Sequence, residues 1–170
     1  MADGRVWVVD PIEGDVDERI RALGEPAGVL VLLDRHRRDS DAFAARLGVP
    51  VHETPFDGLP GSPFEFRTIR RGRFWREVAL WWPAERVLVT ADALGSAGYF
   101  GTPLGLHPFL RARPPRRALA GIVPEHVLVG HGEGIHGPAA APALDRALAT
   151  ARTGIPRVIA DGVRRAVRRS

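Results

Sequence analysis

The chain has 170 residues, of which 45% are hydrophobic, and a formal net charge of +4, values typical of one domain with its own hydrophobic core. It contains no Cys and no Lys, which excludes disulfides, thiolate metal sites, cysteine nucleophiles, lysine Schiff bases and Walker-type lysines. All 24 basic residues are therefore Arg, and no apolar run is long enough to span a membrane. Because the N-terminus also lacks a signal-like segment, we expect a cytoplasmic protein without a membrane partner.

The opening of the chain alternates short apolar runs with amphipathic segments. The runs at residues 6–10, 29–33 and 49–52 predict buried strands. The segments 15–23 and 41–47 predict helices, the first with acidic residues in its opening turn and the second followed by a glycine. This β-α-β-α-β order favours parallel strands with helices packed against the sheet.

The middle of the chain is predicted to form a strand meander. Residues 56–63 are rich in Gly and Pro and predict a loop, after which residues 64–69, 73–82 and 87–90 each predict a strand. A long glycine-rich loop is expected at residues 95–105.

The last third of the chain returns to helical patterns. Residues 115–121 predict a short helix, residues 127–129 the last strand, and residues 139–152 and 156–169 two further helices, the second amphipathic and basic. We find no internal repeat and no sign of a domain boundary, so we expect a single α/β domain over residues 1–170.

Three of the predicted strands end in loops that carry histidine or aspartate, which is where α/β sheets place their binding sites. The three endings are residues 33–40, 89–94 and 129–133. Singly, each side chain has an ordinary structural role: His36 and Asp39 as helix caps, Asp92 as a turn former and His131 as a loop histidine bonded to backbone. Together, in this order, they indicate a common pocket.

These endings resemble the motifs of the metallo-β-lactamase fold superfamily, the αββα sandwich of binuclear metal hydrolases such as the hydroxyacylglutathione hydrolases. In that family one strand ends in Thr-His-x-His-x-Asp-His, a second carries Gly-His-Thr-x-Gly-His, a third ends Gly-Asp-x-Leu/Ala and a late strand ends Gly-His-Gly/Glu. Residues 31–40, 71–82, 88–94 and 128–133 are similar to these four motifs in order. The resemblance covers most of residues 5–152 and implies a sandwich shortened at its N-terminus.

The first motif keeps little of the family pattern, although the segment before it is similar. Its four ligand positions fall on Asp34, His36, Arg38 and Asp39, and only His36 matches the residue that the family uses. Upstream, Val9-Asp10-Pro11 resembles the early strand of the family, which ends in Ile-Asp-Pro/Gly.

The later motifs differ in how much they retain. In the second motif the two histidine positions fall on Arg73 and Glu77. In the third, Asp92 stands where the family has its metal-bridging carboxylate, and in the fourth His131 is kept. The resemblance therefore implies that Asp92, His131 and His36 are the catalytic residues.

Arginine in two ligand positions argues against the family's pair of metal ions. A guanidinium group is always protonated, cannot coordinate a metal and is repelled by one. We expect Arg38 and Arg73 to pair with the carboxylates of Asp34, Asp39 and Asp92 instead. On this interpretation the protein has no dinuclear centre and no cofactor.

A single-metal site is the alternative, and it requires that both arginines point outward. It would hold one zinc, manganese or iron ion. Its ligands would be Asp39, Asp92, His131 and His36.

Three functions follow from these interpretations. The first is a binding module for a small anionic ligand, held in an arginine-lined cleft. The residues that would contact this ligand are Arg38, Arg73, Asp34 and His107, with Arg35 and Arg76 nearby. The second is a hydrolase with a single metal ion, acting on an ester or phosphoester, with Tyr99 as a candidate for binding a substrate oxyanion. The third, nucleic-acid association through the basic residues 163–169, has less support because a solvated helix face has the same composition.

A homodimer is also expected. Loss of the family's first strands would leave a sheet edge or face uncovered, and a second copy would cover it.

Overall fold

The computed structural model describes residues 4–101 and 103–153. The chain falls into two compact units, Met1–Trp82 and Pro83–Ser170. None of the helices in the described residues is long and apolar enough to cross a membrane.

The first unit begins with a parallel β/α arrangement. Its elements are β1 (Arg5–Val9), α1 (Asp17–Leu23), β2 (Glu25–Val31), α2 (Ser40–Leu47) and β3 (Val51–Glu53). The strands form a three-stranded sheet in the order β1-β2-β3, and both neighbouring pairs are parallel. The predicted β-α-β-α-β order and its parallel pairing are confirmed.

Burial explains why these segments form these elements. Strand β2 ends in fully buried residues, and Phe43 and Leu47, one helical turn apart, place the apolar face of α2 in the core. Gly48 ends α2 in the left-handed conformation, with φ of 71°, and its N–H donates to the carbonyl of Ala44. The core cluster consists of Val6, Ile20, Val29, Phe43, Ala44 and Leu47.

The first unit ends in an antiparallel hairpin. Strand β4 (Glu65–Arg71) pairs with β5 (Arg76–Trp82), and Thr68 lies opposite Val78. The second strand begins at Arg76 rather than at residue 73, because residues 72–75 form the hairpin turn, closed by a hydrogen bond from the Gly72 N–H to the Trp75 carbonyl.

The second unit contains a small mixed sheet, a two-stranded ladder and one α-helix within its described residues. In chain order its elements are β6 (Val87–Thr90), β7 (Leu94–Gly95), β8 (Gly105–Leu106), β9 (His126–Val129), β10 (Ile135–His136) and α3 (Ala140–Ala149). Strands β6 and β9 are parallel, β9 and β10 are antiparallel, and β7 pairs with β8. Parallel and antiparallel strands with helices make a mixed α/β fold, which confirms the predicted fold class.

Three details of the second unit differ from the sequence analysis. Residues 115–121 do not form a helix: the hydrogen bond from the Leu119 N–H to the Pro115 carbonyl is not continued along the segment, and the Ile122 N–H donates to the Leu119 carbonyl instead. Residues 127–129 are not the last strand, since β10 follows them. The loop at residues 95–105 is closed at its two ends by β7 and β8. The basic helix predicted at residues 156–169 lies outside the described residues.

Candidate active site

Strand register places Asp92 and His131 side by side. In the parallel pair, Thr90 of β6 lies opposite Val129 of β9. Asp92 and His131, each two positions further along its chain segment, therefore lie beside each other. The Asp92 Oδ1 lies 3.1 Å from the His131 Nε2, and the exposed fractions of the two side chains are 15% and 38%. A carboxylate and an imidazole therefore meet at the carboxyl ends of two strands, as the sequence predicts for a binding site in an α/β fold.

Close backbone contacts hold the His131 loop, and glycines make them possible. A Cβ atom on Gly130 would lie 2.6 Å from the carbonyl oxygen of Ala91, and one on Gly132 would lie 2.6 Å from the Ala97 nitrogen. Gly132 also has a φ of +98°, which side chains of L-residues rarely adopt. The N–H groups of Ser96 and Ala97 both donate to the His131 carbonyl, at 3.0 and 3.2 Å. The position of His131 is therefore set by its backbone.

Two aromatic side chains surround the imidazole of His131. Phe100, which is 1% exposed, stacks on it with the ring centroids 5.8 Å apart. The ring of Tyr99 meets it edge-on at 6.0 Å. Burial and, to a smaller extent, the negative charge of Asp92 raise the pKa of the Tyr99 phenol. The Tyr99 hydroxyl is therefore a hydrogen-bond donor at neutral pH.

His107 and Arg111 also contact the Phe100 segment. The His107 ring lies edge-on to Phe100 with the centroids 5.7 Å apart, and its Nδ1 accepts the N–H of Phe109 at 3.3 Å. The buried Arg111 guanidinium donates to the carbonyls of Leu106, at 3.0 Å, and of Phe100. Burial lowers the pKa of Arg111. The sequence does not predict this role, because the pattern of apolar and polar residues does not distinguish a buried arginine from an exposed one.

In the first unit, His36 is buried and contacts an aspartate that the sequence analysis did not count among the site residues. His36 is 5% exposed and ends a short 3₁₀ helix, Asp34–His36. Its Nδ1 lies 3.3 Å from the Asp10 Oδ2, while the Asp10 Oδ1 accepts the Leu32 N–H at 2.9 Å. Because a carboxylate only accepts hydrogen bonds, Nδ1–H is the donor in this contact. The signal was present, since Asp10 belongs to the Val9-Asp10-Pro11 segment that carries part of the resemblance.

The other two acidic residues of the first motif differ in their surroundings. Asp39 is half-buried, and its Oδ2 accepts the N–H of Glu13 at 2.7 Å, which fixes the loop after β1. Asp34 is half-buried as well, and within residues 4–101 and 103–153 its buried Oδ1 has no hydrogen-bond partner.

Both arginines that occupy ligand positions point toward solvent. Arg38 is exposed, with a φ of 32° just before α2, and Arg73 lies in the hairpin turn with its guanidinium 5.5 Å from the ring of exposed Phe74. Among the described residues neither forms an ion pair, so the expected pairing with Asp34 and Asp39 does not occur. Arg38 lies between the 3₁₀ helix and α2 at a positive φ, and Arg73 lies in the turn between β4 and β5; at both positions the side chain is exposed.

The remaining residues of the second motif contact aromatic rings. Glu77 is fully buried, and its Oε2 accepts the indole N–H of Trp75 at 2.8 Å. The Arg35 guanidinium lies 4.8 Å from the Trp75 ring centroid, and that of Arg76 lies 5.2 Å from the Phe56 centroid. Three of the four arginines of the expected cleft, Arg35, Arg73 and Arg76, thus each contact a different aromatic side chain.

No protein-family model matches the chain, and comparison with curated proteins finds no match. Among solved structures, the chain is similar to the apo state of the chemotaxis sensor ODP from T. denticola, with 13% sequence identity, a TM-score of 0.46, and coverage of 88% of this chain and 82% of that one. It is also similar to DIM-1 metallo-β-lactamase exposed to ceftazidime, with 15% identity, a TM-score of 0.49, and coverage of 89% and 83%. Likenesses of this size do not by themselves assign the chain to a family.

Proposed function

We propose that this protein is a divergent member of the metallo-β-lactamase fold superfamily that binds one divalent metal ion and hydrolyses a small anionic ester or phosphoester. The observation that carries the proposal is the 3.1 Å approach of the Asp92 Oδ1 to the His131 Nε2 at the ends of two parallel strands in register. The surroundings of Arg38 and Arg73 support it, because among the described residues neither forms an ion pair with Asp34 or Asp39, so the arginine–carboxylate pairing expected in place of a metal ion is not formed there.

The donor set fits a metal of the kind that the resemblance implies. Carboxylate oxygen and imidazole nitrogen are ligands for zinc, manganese and iron. Two such ligands at about 2.0–2.2 Å from one ion lie roughly 3.0 Å apart at right angles and roughly 3.4 Å apart in tetrahedral positions. The Asp92–His131 separation of 3.1 Å lies between these two spacings. The resemblance assigns His36 and Asp39 to the same ligand set.

A bound divalent ion would supply a water molecule of lowered pKa as the nucleophile. The protein's own residues would orient the reactants. The Tyr99 hydroxyl, which like any tyrosine hydroxyl is protonated at neutral pH, would donate a hydrogen bond to a substrate oxygen. The Phe100 ring would exclude water from one face of the His131 imidazole and hold that imidazole in place.

A second candidate function, binding of an anion without a metal, is favoured by the basic hairpin of the first unit. Arg71 and Arg76 both lie within 5.2 Å of the Phe56 ring centroid, and Phe74 at the turn is 82% exposed. Among the described residues, Arg73 and Arg76 form no ion pair, which leaves their charges to a ligand. For nucleic-acid association no comparable observation exists, since residues 163–169 lie outside the described residues.

Metal analysis separates the two candidates. The protein, purified without chelator and then titrated with Zn²⁺ or Mn²⁺, should bind one equivalent that is lost in Asp92→Asn and in His131→Gln. Asp145→Asn and His52→Gln are the matched controls, because both residues lie apart from the motifs and their loss should leave binding unchanged. Hydrolysis of p-nitrophenyl esters and phosphates should fall with the metal content.

Two results would overturn the metal proposal. One is a protein that takes up no ion in either titration. The other is an uptake that is the same in wild type, Asp92→Asn and His131→Gln. Binding of phosphate to such a protein, weakened by Arg73→Gln and Arg76→Gln, would establish the second candidate instead.

A further inference from the structure

A pair of histidines on the β9–β10 hairpin is used by neither candidate function. His126 of β9 and His136 of β10 lie directly opposite each other in the antiparallel register. Their Nδ1 atoms are 2.9 Å apart and their ring centroids 5.1 Å apart. His126 is half-buried and His136 is exposed, so solvent reaches the pair.

The 2.9 Å separation is that of a hydrogen bond between the two rings, and it also fits two nitrogens that bind one ion in place of the shared proton. Two imidazoles that bind one ion at about 2.0–2.1 Å in neighbouring, right-angled positions have their nitrogens roughly 2.9 Å apart, whereas tetrahedral positions separate them by roughly 3.4 Å. We propose that His126 and His136 form a cross-strand chelate for a divalent late transition metal, with Cu²⁺ and Ni²⁺ preferred over Zn²⁺.

The surrounding charges agree with a site made of two imidazoles alone. The adjacent Glu125 is committed to Arg86, whose guanidinium lies 2.8 Å from its Oε1. The affinity of nitrogen ligands for divalent first-row metal ions is highest for Cu²⁺. Mg²⁺ and Ca²⁺ prefer oxygen ligands such as carboxylates. Water molecules would fill the remaining positions around the ion.

The chelate would act on the loop that carries His131. Strands β9 and β10 flank residues 130–134, so an ion that joins His126 to His136 closes the base of that loop. This inference uses different residues from the proposed function, and either can fail without the other.

The test is to titrate the full chain with CuCl₂ and, in a separate experiment, with NiCl₂. Calorimetry measures the binding, and the electron paramagnetic resonance spectrum of bound Cu²⁺ identifies its ligands. Both titrations are done in an Asp92→Asn/His131→Gln background, because the candidate active site would also take up metal. We expect one Cu²⁺ equivalent with nitrogen ligands, and affinity reduced roughly ten-fold or more in either His126→Gln or His136→Gln, since a single imidazole lacks the second attachment.

His52→Gln is the matched control, since His52 packs against Trp7 and away from the pair. Copper should raise the melting temperature of the background protein and of His52→Gln, but not of His136→Gln. The side chain of His136 is exposed, so its replacement by Gln removes no buried contact. Equal copper affinity in the background protein, His126→Gln and His136→Gln would overturn the proposal. So would an equal loss in His52→Gln, which would indicate adventitious binding.

Discussion

The carboxylate of Asp10 contacts both the backbone of Leu32 and the ring of His36: its Oδ1 accepts the Leu32 N–H at 2.9 Å, and its Oδ2 lies 3.3 Å from the Nδ1 of His36. Asp10 follows β1 and His36 follows β2, so the contact depends on the parallel pairing of these strands. A carboxylate in this position orients the imidazole ring. Asp10 is therefore a positioning residue for His36.

Asp10→Asn should weaken metal binding while the protein stays folded. The amide oxygen can still accept the Leu32 N–H, but the charge that orients the His36 ring is lost. We expect metal affinity to fall by about 10- to 100-fold, the range found when such carboxylates are removed. Titration with Zn²⁺, together with the melting temperature, measures this. A large fall in melting temperature with unchanged affinity would mean that Asp10 serves the backbone alone.

Arg38→Gln and Arg73→Gln should leave metal binding unchanged. Both side chains are exposed, and among the described residues neither forms an ion pair with Asp34 or Asp39, so their removal leaves no carboxylate of the first motif without its partner. Metal content and affinity of the two variants are compared with wild type and with Asp92→Asn as the positive control. If either arginine variant bound metal much more tightly than wild type, the guanidinium would be acting on the site.

Gly132→Ala should displace the His131 loop. The new Cβ would lie 2.6 Å from the Ala97 nitrogen, at a φ of +98°. We expect a loss of about 1–3 kcal/mol in the free energy of unfolding, together with reduced metal binding. Gly121→Ala is the control: its φ is +75°, but nothing lies within 4 Å of the new Cβ. Equal effects of the two substitutions on metal binding would contradict the crowding argument.

Tyr99 offers a direct measure of the environment of Asp92. It is the single tyrosine of the chain, so absorbance at 295 nm reports its ionisation alone. We expect its pKa to lie above the ordinary value of 10.0, because of burial and the negative charge of Asp92, and to fall toward that value in Asp92→Asn. Asp145→Asn should not change it.

The sign of the linked stability change follows from the same shift. A phenol whose pKa is higher in the folded protein stabilises the fold below the unfolded pKa, and this contribution is lost as the pH rises through the folded pKa. The free energy of unfolding should therefore fall above pH 10 more steeply in wild type than in Tyr99→Phe. Parallel pH profiles of the two proteins would contradict this.

A buried and an exposed phenylalanine of the first unit form a matched pair that tests the assignment of the core. Phe43 is 2% exposed and Phe74 is 82% exposed. Phe43→Ala should lower the free energy of unfolding by about 3–5 kcal/mol, because it removes a buried ring and leaves a cavity. Phe74→Ala should change it by less than about 0.5 kcal/mol. Urea unfolding of both variants checks the difference, and similar midpoints would contradict the assignment of Phe43 to the core.

Part of the candidate site was accessible from the sequence. Asp92 and His131 each follow a short β-branched run by a fixed number of residues, and this local pattern was enough to select them. The carboxylate of Asp10 was overlooked because one aspartate before a proline usually marks a turn. The cross-strand pair of His126 and His136 was not found either, because β10 is only two residues long and gives no periodic signal.

The amino-acid sequence alone determined the alternating strands and helices of the first unit, the mixed α/β class and the exclusion of cysteine and lysine chemistry. These depend on the order of apolar and polar residues and on composition, which are local properties of the chain. The tertiary structure decided the register of β6 against β9, the contact of Asp10 with His36 and the outward direction of Arg38 and Arg73. Strand register and ion-pair partners depend on packing between residues far apart in the chain, and no local pattern encodes them.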